Sequence, residues 1–351
     1  MKNKNLQLIQ VFRGIAALLV VFYHATKNGN EILTQNLLFN FFSFGGSGVD
    51  IFFVLSGFII TYTSQTNLGH HNKLIPFIKK RFIRIFPTYW IIITGFLLAQ
   101  LLFPAFYKTH FLFSTSSGLY TFFLLPEHLM VNGVSWTLSY ELFFYFLFSL
   151  AFLFPNKKIS FVMGLLYCLI IISVAVGGYQ FNERNVWQNF ILFPMNIEFF
   201  MGVSSAILVS RLSPKSGVLL ITAGGLLFLL MGVLSNNNIL LFSNTYNRVV
   251  LFGIPAFLLI TGAVVYELHK KINIYNIFLL LGDASYSLYL LHLPLIVAFY
   301  KIYLRLDIKS NIAFHLVTFV AIIAICFISI LFFKFVEKPI INQLRSKKTT
   351  R

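Results

Sequence analysis

The chain has 351 residues, of which 58% are hydrophobic and only 11% charged, and its formal net charge is +17. Soluble globular domains carry roughly twice that share of charge, so composition excludes a soluble enzyme. The basic residues lie between apolar runs and not along one face or tail, which excludes a nucleic-acid-binding protein as well. Cys168 and Cys326 both sit inside apolar runs and form neither a metal-binding spacing nor a disulfide framework.

The apolar runs are each near the roughly 20 residues that cross a bilayer as a helix. They predict an all-α polytopic membrane protein with about ten spans, at 8–26, 47–64, 85–103, 136–154, 159–177, 189–210, 216–234, 249–267, 279–299 and 312–335. The first is an uncleaved span and not a signal peptide, because Arg13 interrupts it and no small-residue cleavage site follows Tyr23.

An even number of spans puts both termini on one side. That side holds Lys2, Lys4, Lys73, Lys79, Lys80, Arg81, Arg84, Lys157, Lys158, Arg211, Lys215, Lys270, Lys271 and the C-terminal basic residues from Lys334 to Arg351. The other side holds Lys27, Lys108, Arg184, Arg248, Lys301, Arg305 and Lys309. The positive-inside rule therefore predicts cytoplasmic termini. The expected organisation is one transmembrane domain, 1–340, and a short basic tail, 341–351. No appended soluble domain and no repeated halves are visible, and the lack of repeats weighs against an inverted-repeat transporter. The longest outer loop, 104–135, runs into LLPEHLMVNGVSW, expected to be re-entrant or surface-lying.

Polar residues inside these spans are the candidates for function, since each costs roughly 2.5–3.5 kcal/mol to insert. In VFRGIAALLVVFYHATKNG, residues 11–29, Arg13 and His24 are eleven residues apart. On a helix they share a face and lie about 16 Å apart along the axis. A polar cavity explains both; snorkelling of Arg13 and an interfacial His24 are the plainer readings. In GGSGVDIFFVLSGFIITY, residues 45–62, Asp50 stands at the outer end of the second span, either as an ordinary interfacial acid or as a partner of His24. Ser56 and Gly57 are small enough to let helices pack closely.

In KLIPFIKKRFIRIFPTYW, residues 73–90, Lys80, Arg81 and Arg84 belong to a basic cluster. Arg81 and Arg84, at i and i+3, make a fork for phosphate oxygens, or simply fix topology and touch anionic lipid. In SWTLSYELFFYFLF, residues 135–148, Trp136 is an interfacial anchor and Glu141 lies inside the span. Glu141 is suited to hold an imidazole, and Glu198 in NIEFFMG also needs a partner; for both, pairing with an arginine or hydroxyl is the structural alternative. In GDASYSLYLLHLP, residues 282–294, Ser285, Tyr289 and His292 fall on one helix face and are candidate substrate-binding residues, with a packing histidine as the alternative. Glu337-Lys338-Pro339 closes the last span, where the proline is sufficient as a helix stop.

Taken together, these pieces resemble acyltransferase family 3, the membrane-bound O-acyltransferases that decorate bacterial surface polysaccharides. The resemblance is carried by Arg13-x10-His24, GVDIFFVLSGF, Arg81-x-x-Arg84 before FPTYW, WTLSYE ending at Glu141, SYSLYLLH ending at His292, and Glu337-x-Pro339, in the family's order over nearly the whole chain. The family's usual WSLxxE reads WTLSYE here, which leaves Glu141 in place. A basic residue that often precedes the sixth-span glutamate is replaced by Asn196 near Glu198.

The resemblance implies transfer of an acetyl group from cytoplasmic acetyl-CoA, a donor substrate and not a bound cofactor, to a hydroxyl of a surface polysaccharide or lipid-linked glycan. The inner membrane is the expected location, with membrane lipids and glycan-assembly proteins as further partners and no metal. His24 maps to the family's essential histidine, with Arg13, Asp50 and Glu141 as catalytic candidates. Arg81, Arg84, Lys80 and Arg13 would bind the donor. The competing readings are a glycan or lipid transporter, or transfer of a succinyl or longer acyl group or to a non-glycan acceptor.

Overall fold

The computed structural model describes residues 6–33, 37–103, 115–126, 132–179, 185–237, 245–306 and 310–346. Among these residues every regular element is helical. The α-helices are α1 (Gln7–Leu33), α2 (Gly48–Ser64), α3 (Leu74–Leu102), α4 (Thr115–Phe123), α5 (Trp136–Leu150), α6 (Lys157–Val176), α7 (Val186–Ile191), α8 (Asn196–Leu208) and α9 (Pro214–Asn236). They continue with α10 (Thr245–Arg248), α11 (Ile254–His269), α12 (Asn276–Asp283), α13 (Ser285–Arg305), α14 (Asn311–Phe332) and α15 (Lys338–Ser346).

Nine helical stretches among the described residues are long and apolar enough to cross a membrane, which makes this a multi-pass membrane protein. The fourth expected span, 136–154, is realised as α5, whose 15 residues stop short of a full crossing. The span expected at 189–210 is interrupted between α7 and α8, where Pro194 supplies no backbone donor. The span expected at 279–299 breaks at Ala284 into α12 and α13.

Apart from Lys73, which precedes the helix, the basic segment 73–84 is not a loop before the third span but the first turns of α3. At the other end, Pro339 does not stop the chain. A π-helical turn, Phe333–Glu337, hands α14 on to α15, with the Lys338 N–H donating to the Phe333 carbonyl, and this wider turn accommodates Pro339, which has no N–H to donate. The helix therefore runs across the boundary expected at 340. The LLPEHLMVNGVSW segment lies partly outside the described residues, at 127–131. Its end is tied down, with Asn132 Nδ2 donating to the Leu290 carbonyl at 3.0 Å and Ser135 Oγ to the Asn132 carbonyl at 2.7 Å. Lys2, Lys4, Lys108, Arg184, Lys309, Lys347, Lys348 and Arg351, used to orient the chain, lie outside the described residues.

Small residues set the close crossings. A Cβ on Gly57 would meet the Phe199 carbonyl oxygen at 1.9 Å, and one on Gly202 the Val54 oxygen at 2.1 Å, so α2 and α8 touch backbone to backbone. By contrast α6 buries only Cys168 and Ile171 and turns its other apolar side chains outward, as a lipid-facing helix does. The open N-terminus of α1 is capped from α11. Glu267 accepts the backbone N–H groups of Gln7 and Leu8 at 2.5 and 2.8 Å.

Candidate active site

Residues of α1, α2, α3, α5, α13 and α15 line a cavity of about 270 Å³. Arg13, Arg81, Arg84 and Arg345 line it together with Ser56, Thr137, Glu141, Ser285 and Tyr289. Six of the expected site residues on four different helices thus meet: Arg13, Arg81, Arg84, Glu141, and Ser285 and Tyr289 from α13.

The two α3 arginines are held by aromatic faces. Arg81 Cζ lies 5.3 Å from the Phe77 ring centre and 5.6 Å from that of Tyr145. Arg84 Cζ lies 5.7 Å from the Tyr286 ring. Their i, i+3 spacing within α3 directs both to the cavity, whereas Lys80 is exposed and does not line it. Arg84 Nη1 is 3.7 Å from Glu337 Oε1, and Ser287 Oγ donates to Glu337 Oε2 at 2.5 Å. Glu337 is therefore a fully buried anchor and not merely part of a helix end.

Glu141 accepts from Ser56 Oγ at 3.0 Å and from the Tyr145 hydroxyl. It does not reach His24. Charge in the cavity is unbalanced: four guanidiniums face Glu141, and Glu337 answers Arg84. Arg81 Nε and the buried Ser285 Oγ have no hydrogen-bond partner among the described residues. Unmatched positive charge with open donors suits an anionic ligand.

His24 is placed differently from the expectation of an open tunnel. α1 is unbroken from Arg13 to His24, yet only Arg13 lines the cavity. Phe52 and Tyr289 form part of its wall, with ring centres 5.7 Å apart. Behind that wall the Tyr289 ring lies 5.9 Å from the His292 ring. Tyr289 itself is held by Thr137 Oγ1, which donates to its hydroxyl at 2.9 Å, while that hydroxyl donates to the Val134 carbonyl at 3.1 Å. His292 Nε2 lies 3.1 Å from His24 Nδ1. His292 is fully buried with both ring nitrogens engaged, and it does not line the cavity.

Asp50 does not pair with His24 either. Arg248 holds it with Nη2 2.7 Å and Nε 3.1 Å from Oδ2, and the same Nη2 donates to the Gly46 carbonyl at 2.7 Å. Glu198, fully buried, shares this charge cluster with both. Sequence reasoning missed Arg248, which it counted as an outer-loop charge, and Arg345, which it assigned to the tail. The signal for Arg248 was present: two buried carboxylates, Asp50 and Glu198, required a cation.

A family described as an acyltransferase domain matches residues 7–334. The chain is 28% identical over 344 residues to "Exopolysaccharide production protein ExoZ" of Rhizobium meliloti (strain 1021), covering 94% of this chain and 97% of that protein. It is 29% identical over 210 residues to an "O-acetyl transferase" of Shigella phage Sf6, covering 55% of this chain and 60% of the phage protein. No solved structure matches.

Proposed function

The chain belongs to acyltransferase family 3, and on that premise we propose that it moves an acetyl group from cytoplasmic acetyl-CoA to a hydroxyl of a cell-surface polysaccharide or its lipid-linked precursor. The observation that supports this most is the cavity whose arginines outnumber its carboxylates, in a chain alignable along almost its full length with an exopolysaccharide production protein. Acetyl-CoA carries phosphates at one end and a thioester at the end of a long arm. Arg81, Arg84 and Arg345 at the mouth bind the phosphates, and Arg13 meets negative charge further in. The mouth lies on the side that the positive-inside rule assigns to the cytoplasm, which supports a place in the bacterial inner membrane with the donor site facing the cytoplasm.

The thioester then passes the Phe52–Tyr289 wall, whose rings shift aside, and reaches His24. His24 takes the proton of the acceptor hydroxyl as the oxygen attacks the thioester carbonyl carbon. The C–S bond breaks, and His24 returns the proton to the departing sulfur. A general base of this kind supplies about 10²–10⁴-fold in rate.

The test measures O-acetyl content of surface glycans in a deletion strain, and in that strain carrying wild type or His24→Ala at matched membrane levels. Acetylation returns with wild type and not with His24→Ala. Full restoration by His24→Ala refutes His24 as the base, and unchanged acetylation on deletion refutes the activity.

A further inference from the structure

Protons can be counted through the two histidines. A carbonyl oxygen only accepts, and a neutral imidazole has one N–H. His292 Nδ1 lies 3.1 Å from the Leu288 carbonyl, so Nδ1 carries the proton of that ring and Nε2 offers a lone pair. The 3.1 Å contact between His292 Nε2 and His24 Nδ1 then needs its proton from His24. His24 Nδ1–H serves both this lone pair and the Val20 carbonyl, 3.0 Å away. The network leaves His24 Nε2 as the unprotonated nitrogen.

Among the described residues, no hydrogen bond of either ring goes to a carboxylate. Asp50 is taken by Arg248, Glu141 by Ser56 and Tyr145, and Glu337 by Ser287. In hydrolase triads a carboxylate orients the base and stabilises the imidazolium that forms. Here the only side-chain hydrogen-bond partner of the His24 ring among the described residues is a second imidazole.

We propose that His292 is a positioning residue for His24, a neutral acceptor that fixes Nε2 as the basic nitrogen and steadies the ring while it carries the proton. This rests on the reading of His24 as the base. When Nε2 takes the acceptor hydroxyl's proton, Nδ1–H becomes a charged donor, and the His292 lone pair accepts a stronger hydrogen bond. When Nε2 gives its proton to the leaving sulfur, the pair returns to its starting state, and His292 gains and loses none.

The test uses the full chain in native membranes containing endogenous glycan, supplied with radiolabelled acetyl-CoA. His24→Ala, His292→Phe, His292→Gln and His292→Asn are compared at matched membrane amounts. Turnover in His292→Phe falls about 10- to 100-fold, the range a hydrogen bond to a charged group supplies, with the half-saturating acetyl-CoA concentration unchanged. His292→Gln, whose amide oxygen extends to the Nε2 position, recovers part of the rate, and His292→Asn, whose shorter amide ends near Nδ1, does not. An inactive His24→Ala beside a fully active His292→Phe overturns the pairing and leaves His24 as base. A fully active His24→Ala overturns both. Equal loss in all three His292 variants overturns the acceptor role in favour of packing. Where His292→Phe fails to accumulate, the Gln–Asn difference decides alone.

Discussion

Arg248, the last residue of α10, closes on Asp50, with Nη2 2.7 Å from Oδ2 of a carboxylate that is fully buried. Glu198 stands near both, fully buried and with neither carboxylate oxygen hydrogen-bonded among the described residues, so the nearby guanidinium is the charge that offsets two carboxyls. Removing the cation leaves two acids facing each other, whereas removing Asp50 leaves Glu198 to take its place. Arg248→Ala therefore destabilises more than Asp50→Ala, by about 3 kcal/mol against wild type. That is the low end for breaking a buried pair, because the Arg248 side chain keeps 21% exposure. Membrane abundance and thermal aggregation of the two variants check the order; equal loss contradicts it.

The α2–α8 crossing yields a sharper contrast. Ala at Gly202 would put a Cβ 2.1 Å from the Val54 oxygen and 2.6 Å from the Phe58 nitrogen, backbone atoms that cannot rotate away. Gly202→Ala abolishes accumulation in the membrane. Gly95, within α3, has nothing within 4 Å of the same added atom. Gly95→Ala accumulates at or above wild-type level, since alanine favours a helix interior by roughly 0.5–1 kcal/mol over glycine. Similar abundance of the two variants would contradict the packing described.

Helical periodicity made part of this legible in the sequence. Arg81 and Arg84 share a face because they are one turn apart, and α1 runs unbroken from Arg13 to His24 as read. What hydropathy cannot encode is which spans adjoin. His24 with His292, and Asp50 with Arg248, are contacts across the bundle, chosen by close crossings that small residues permit. That is why Asp50 and Glu141 were both offered to His24 and neither reaches it. Arg345 was obscured for a local reason: Pro339 reads as a stop, and only the π-turn before it lets the helix continue.

The arginines of the cavity separate donor binding from chemistry. Arg81→Ala raises the half-saturating acetyl-CoA concentration about 10-fold or more, the scale of a charge-assisted hydrogen bond. Arg345→Ala raises it by only a few-fold, because Arg345 is exposed and screened by salt. Maximal transfer rates stay within about twofold of wild type in Arg345→Ala. Titrating acetyl-CoA against label transfer in membranes measures both, and a fall in maximal rate with unchanged half-saturation would remove Arg345 from the donor site.

The central claim is that donor and acceptor meet from opposite faces of one bundle, the donor at the arginines and the acceptor at His24. Sealed vesicles of the two orientations, each containing endogenous glycan acceptor and given radiolabelled acetyl-CoA from outside, test it directly. Everted vesicles, with the cytoplasmic face outward, transfer label to glycan on the enclosed side, and right-side-out vesicles do so only after permeabilisation. Transfer in intact right-side-out vesicles and not in everted ones would contradict the account.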